Sequence, residues 1–174
     1  RPEGGTAQFD PEKLRMISAA DRRWAWTEVD LNAIRHNVAS IRQRIESGVR
    51  IMAVVKADAY GHGAVRVAKT ALNSGADYLG VATVDEAIQL REGLVNAPIL
   101  VLSQPPAASI PLLLAYKVMA SVYTPDFAIQ YAETADSFGL RAPYHLAVNT
   151  GMNRIGVRHD EAVEFMGQVS FHRA

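Results

Sequence analysis

The segment Ile51-Met-Ala-Val-Val-Lys56-Ala-Asp-Ala-Tyr60-Gly-His-Gly63 runs from continuously apolar residues to a lysine and then into a polar, glycine-containing loop. A short uninterrupted apolar run predicts a strand over Ile51 to Lys56 that is buried on both faces, as in parallel sheets covered by helices. In such folds ligands bind beyond the C-terminal ends of the strands. A lysine at that end is placed to be partly desolvated, which favours its neutral amine and suits it to act as a Schiff-base nucleophile or proton acceptor. From position alone, a lysine that ends a strand and extends its ammonium into water is the commoner case, and position does not settle the choice.

Downstream of this segment, short apolar stretches alternate with amphipathic ones. Further strands are predicted at Tyr78 to Ala82, Ile99 to Leu102, Val118 to Val122 and Tyr144 to Asn149. The intervening helices carry their own punctuation. Thr83 and Glu86 have capping-box spacing, Thr124 precedes Pro125 at a first helical position, and Gly75, Gly93 and Gly139 follow helix ends. The pattern is α/β, suited to a (β/α) barrel or a doubly wound sheet, and periodicity does not choose between them. A complete eight-stranded barrel takes roughly 250 residues, whereas the 174 residues here offer five strand-helix units. A barrel reading is therefore a partial one.

Upstream, Trp24 to Val29 reads as a strand and Asp30 as the N-cap of a helix with its apolar face on Leu31, Ile34, Val38, Ile41 and Ile45, closed by Gly48. Residues 1 to 10 read as a flexible lead-in and Pro11 to Ala20 as a short helix. Residues 1 to 23 are thus assigned to an N-terminal extension and residues 24 to 174 to the α/β unit.

Eighteen basic and eighteen acidic residues leave a formal charge of zero, without the basic footprint of a nucleic-acid binder. The longest apolar candidate, Ile110 to Val122, contains Pro111 and Lys117 and falls short of a membrane span. With no cysteine, disulfides and thiolate metal sites are excluded, and the five histidines show no metal-ligand spacing. No signal-peptide pattern opens the sequence, which points to the cytoplasm. These features leave small molecules and other protein chains as the expected partners.

The string Val-Val-Lys56-Ala-Asp-Ala-Tyr60-Gly-His-Gly63 resembles the cofactor-lysine motif of alanine racemases. A second segment, Asn149-Thr-Gly-Met-Asn-Arg154-Ile-Gly156, is similar to the family's Asp-Thr-Gly-Met-Asn-Arg-Leu-Gly at the end of the fifth barrel strand. Gly80-Val-Ala-Thr-Val-Asp-Glu-Ala and Pro98-Ile-Leu-Val-Leu also look like their counterparts, so the resemblance covers about residues 24 to 174. It implies the N-terminal part of a TIM-type (β/α)8 barrel, about five of eight units, without the family's C-terminal β domain. It implies pyridoxal 5'-phosphate as cofactor, with Lys56 forming the internal aldimine and serving as one of two catalytic bases in interconverting L- and D-alanine.

By the same resemblance Tyr60 binds the cofactor phosphate and Arg154 contacts the phenolic oxygen of the pyridine ring. A guanidinium does this as a rigid fork that lysine does not reproduce. Asp58, His62, Met152 and Asn153 are expected to shape loops. The second base, a tyrosine, comes in the family from the C-terminal domain of the partner subunit, so a homodimer, or a companion chain carrying the missing strands, is implied.

The sequence departs from the family pattern at two positions. Many members carry a carbamylated lysine seven residues before the motif arginine, where Ala147 stands, and an aspartate where Asn149 stands. Two negative charges near Arg154 are thereby missing, and a bound anion such as chloride, held by Asn149 and Arg154, would restore the balance. The same replacements resemble broad-spectrum amino-acid racemases. Alternative readings within the fold are a non-catalytic pyridoxal-phosphate homeostasis protein, whose motif reads Ser-Lys-Thr-Lys, and decarboxylases, whose motif lacks Tyr-Gly-His-Gly. An inactive fragment is a further alternative. Five barrel strands expose two sheet edges and an apolar interior. The chain expressed alone is therefore expected to need a companion polypeptide; analytical ultracentrifugation and urea unfolding showing a cooperative 174-residue monomer would contradict this.

Overall fold

The computed structural model describes residues 24–169 together with the isolated positions 10, 12, 18 and 22. Apart from those positions, the lead-in and the short helix predicted over Pro11 to Ala20 lie outside the described residues. Helix α1 (Leu31–Arg44) is followed by β1 (Met52–Val54), α2 (Ala64–Asn73), β2 (Tyr78–Val81), α3 (Val84–Glu92) and β3 (Ile99–Val101). Then come α4 (Ile110–Ala115), β4 (Met119–Val122), α5 (Pro125–Ser137), β5 (Tyr144–Leu146), β6 (Val148–Asn149), β7 (Val157–Arg158) and α6 (Ala162–Val169). Strands β1 to β5 form one parallel sheet in sequential order, the opening part of a (β/α) barrel.

Side chains alternate across each strand and so divide between two environments. Leu79, Val81, Ile99, Val101, Ala120 and Val122 are fully buried in the core cluster with residues of the flanking helices. The helices contribute Ala68 of α2, Leu90 of α3, Leu113 of α4, and Phe127 and Tyr131 of α5. The buried residues of α2 are small, Ala64, Ala68 and Ala71. On the other face, a Cβ at Gly80 would sit 3.2 to 3.3 Å from Met52, Leu102 and Val54, so these side chains converge on the concave side. Val54 there is 49% exposed, because β1 is a sheet edge among the described residues.

The caps predicted at Asp30 and Thr83 form. The Asp30 carboxylate accepts from the N–H groups of Asn32 and Ala33, and the Thr83–Glu86 capping box is complete. Four expectations need correction. The strand predicted over Ile51 to Lys56 as buried on both faces spans Met52–Val54 and is only partly buried, because it is a sheet edge among the described residues. Trp24 to Val29 forms no strand, since no described strand lies beside it to complete a ladder, and both tryptophans are exposed. Helix α1 ends at Arg44 with Ile45 extended; Gly48 lies in a turn where Val49 N–H donates to Glu46 O. The predicted strand Tyr144 to Asn149 breaks at Ala147. Its second half leaves β4 to pair with β7, with Ala147 O accepting from Val157 N–H.

Two arginines tie the N-terminal ends of the strands to the preceding helices. Arg42 donates to Gly75 O and Val49 O and pairs with Asp77, whose carboxylate also accepts from Ile51 N–H at 2.7 Å. Arg91 donates to the carbonyls of Val95, Ala97, Tyr116 and Lys117. The Ile51 N–H, reinforced by Arg42, holds the Asp77 carboxyl below its ordinary value of 3.8. A carboxyl with a lowered folded pKa stabilises the fold above its ordinary value, and the contribution is lost as pH falls through the lowered one. Asp77→Asn is therefore expected to lower the urea midpoint at neutral pH and to flatten the acid limb; unchanged curvature below pH 4 would contradict it.

Candidate active site

The last ladder contact of β1 is Val55 N–H to Gly80 O at 2.8 Å, and Lys56 is the next residue. Val55 is buried, 1% exposed, and anchors the strand end, while Lys56 is half-buried at the mouth of the sheet. The chain then takes an uncommon course. Ala57, Asp58, Ala59 and Tyr60 all adopt φ of 51–53° and ψ of 41–47°, a full left-handed turn built without glycine. This reversal carries Tyr60 back over the lysine, with Lys56 Nζ 5.9 Å from the centroid of the Tyr60 ring.

Hydrogen bonds hold the turn on every side. Ala59 N–H donates to Val55 O, and Gly63 N–H to Asp58 O. The Asp58 carboxylate accepts from Ala64 N–H, the first residue of α2, and His62 Nδ1 lies 2.8 Å from Ala59 O. Asp58 and His62 thus shape the loop. The Tyr60 side chain is 70% exposed, and its hydroxyl makes no hydrogen bond among the described residues.

Glu86 enters this site through a function that its capping-box spacing did not disclose. Its Oε1 accepts from Ala57 N–H at 2.7 Å, and its Oε2 from Ala82 N–H at 2.7 Å and Thr83 N–H at 3.3 Å. The signal available in the sequence was a carboxylate at the start of α3, at the same C-terminal end of the sheet as the loop after β1. Farther along, Gln104 Oε1 accepts from the N–H groups of Tyr123 and Thr124, extending such ties across the strand ends.

The loop after β6 is organised by Asn149, whose Oδ1 accepts from Gly151 and Asn153 N–H while its Nδ2 donates to Asn153 Oδ1. Arg154 follows on this loop, exposed and without a hydrogen bond or ion pair among the described residues. Lys56 and Tyr60 are brought together; no contact joins Arg154 to either, since it follows the fifth strand and they follow the first. The Lys56 amine and the Tyr60 phenol, a nucleophile and a donor beside each other, suit a carbonyl ligand that carries an anionic group. Neither acidic partner expected of the family stands beside Arg154, because Ala147 and Asn149 occupy those places.

The family described as "Alanine racemase, N-terminal domain" matches residues 29–174. Alanine racemase 2 of Oceanobacillus iheyensis is 46% identical over 143 residues, covering 82% of this chain and 36% of that protein. The structure of the Clostridium difficile 630 alanine racemase in complex with cycloserine superposes with a TM-score of 0.81 at 36% identity, over 85% of this chain and 41% of that one. The histidine racemase of Leuconostoc mesenteroides subsp. sake superposes with a TM-score of 0.74 at 31% identity, over 82% and 38% respectively. The chain spans about two fifths of the length of these relatives.

Gly156 sets the return of the Arg154 loop. At its φ of +104°, an added Cβ would lie 2.8 Å from Asn149 N and 3.0 Å from Ala147 O. Gly156→Ala is expected to lower stability by about 1–3 kcal/mol, measured as a shift of the urea unfolding curve, and an unchanged curve would refute the crowding.

Proposed function

The chain belongs to the alanine racemase family through its N-terminal domain, and from that premise we propose that it carries the cofactor lysine, Lys56, of a pyridoxal-phosphate-dependent amino-acid racemase acting on alanine. The observation carrying this reading is that Lys56, a half-buried residue, stands directly after the buried Val55 at the C-terminal end of the parallel strand β1, with Tyr60 folded back over its amine. Lys56 holds the cofactor aldehyde and moves a proton at its Nζ on one face of the substrate. Tyr60 binds the phosphate through its free hydroxyl, and Arg154 orients the ring through its phenolic oxygen. When bound, the cofactor accepts electron density as the substrate's α-proton leaves.

Racemisation requires a second base on the opposite face. That base is a tyrosine of a C-terminal domain brought by a partner subunit, so the working unit is a homodimer. Arg154 lacks a carboxylate beside it, and a chloride ion near Asn149 supplies the missing negative charge. The similarity to a histidine racemase as well as to alanine racemases supports a substrate range wider than alanine.

The test is borohydride reduction of the complete protein followed by peptide mapping. A pyridoxyl adduct on Lys56, lost in Lys56→Ala together with alanine racemisation, is the expected result. An adduct on another lysine would sink the assignment. Run in chloride-free gluconate buffer, the cofactor titration is expected to weaken severalfold, and identical curves would remove the anion from the scheme.

A further inference from the structure

The peptide between Lys56 and Ala57 is the hinge between β1 and the left-handed turn. Its N–H group has left the ladder of the sheet, and it needs an acceptor from elsewhere. Glu86 Oε1 is that acceptor, at 2.7 Å, while Oε2 of the same carboxylate takes Ala82 N–H and Thr83 N–H at the end of β2. One half-buried carboxylate therefore joins the ends of β1 and β2 with both oxygens accepting. A glutamine in its place would turn an NH2 group toward one of these two sets of donors and break that side.

We infer that Glu86 is a positioning residue for Lys56: by accepting from Ala57 N–H it fixes the direction in which the lysine leaves the strand and the turn that lays Tyr60 over its amine. This rests on the racemase reading for the identity of the cofactor. Glu86 also supports α3, because its N–H donates to Thr83 Oγ1. That role is separable from the tie to Ala57. Thr83→Ala removes the Oγ1 acceptor and leaves the Glu86 carboxylate in place, so it serves as the control for helix capping alone.

The experiment compares the complete, cofactor-loaded protein with Glu86→Gln, Glu86→Asp and Thr83→Ala. Its readouts are cofactor affinity, the rate of borohydride trapping at Lys56, the pH midpoint of the visible band of the lysine-bound cofactor, and the urea midpoint. Glu86→Gln is expected to weaken cofactor affinity roughly tenfold, the size of one charge-assisted hydrogen bond, and to slow trapping and shift the band midpoint. Thr83→Ala is expected to lower the urea midpoint alone. Glu86→Asp keeps the charge but is one methylene too short to reach both strand ends; it is expected to match the cofactor effects of Glu86→Gln and carries the test if that variant does not fold. Glutamate variants that move only the urea midpoint, as Thr83→Ala does, would overturn the inference while a wild-type adduct on Lys56 leaves the racemase reading standing. A wild-type protein with no Lys56 adduct would overturn both.

Discussion

Four consecutive non-glycine residues, Ala57 to Tyr60, lie in the left-handed region, at a cost of roughly 1–2 kcal/mol each. Their sum is comparable to the whole stability of a typical domain, so this turn persists only because its surroundings over-determine it. Val55 is buried before it and Ala59 within it, Asp58 links it to the start of α2, and Glu86 links it to the end of β2. The sheet and its helices form the frame on which this strain is held. What the strain achieves is local: a lysine and a tyrosine four positions apart in sequence share one small volume at the mouth of the sheet.

The two ends of the sheet use opposite chemistries for one physical reason. Helices run antiparallel to the strands they follow, so their unpaired carbonyls gather near the N-terminal ends of the strands and their unpaired N–H groups near the C-terminal ends. At the first end, Arg42 and Arg91 donate to carbonyls of Gly75, Val95 and Tyr116. At the second, Glu86, Asp58, Gln104 and Asn149 accept from backbone N–H groups. The second end consequently gathers helix starts whose N–H groups are satisfied by these acceptors, which fixes the loops around the mouth.

The concave side of the sheet has a different character. Gly80 leaves room for Met52, Val54 and Leu102 to converge, and Arg50 donates to the Tyr78 hydroxyl while its guanidinium stacks on that ring. Val54 stands half exposed at the open edge. A closed barrel fills this space with layers of side chains from all eight strands.

Much of this was legible in the sequence because local rules decide it. Continuous apolar runs marked the five strands, Asp30 and the Thr83–Glu86 pair marked helix starts, and the position of Lys56 at a strand end followed from the Ile51-to-Val55 run. Other features depend on partners far away in sequence. Ala-Asp-Ala-Tyr does not announce a left-handed turn, and one of the hydrogen bonds that hold its reversal comes from Glu86, 29 residues on. Trp24 to Val29 alternates as a strand does, yet forms none without a neighbour to complete its ladder, and Tyr144 to Asn149 divides because Val157 competes with β4 for its second half. The sequence by itself determined where the first four strands of the sheet and the helices between them lie and that Lys56 stands at a strand end, since burial period and capping are local. Only the tertiary structure decided how those ends are joined, because a backbone N–H that leaves a strand is satisfied by whichever acceptor the fold brings to it.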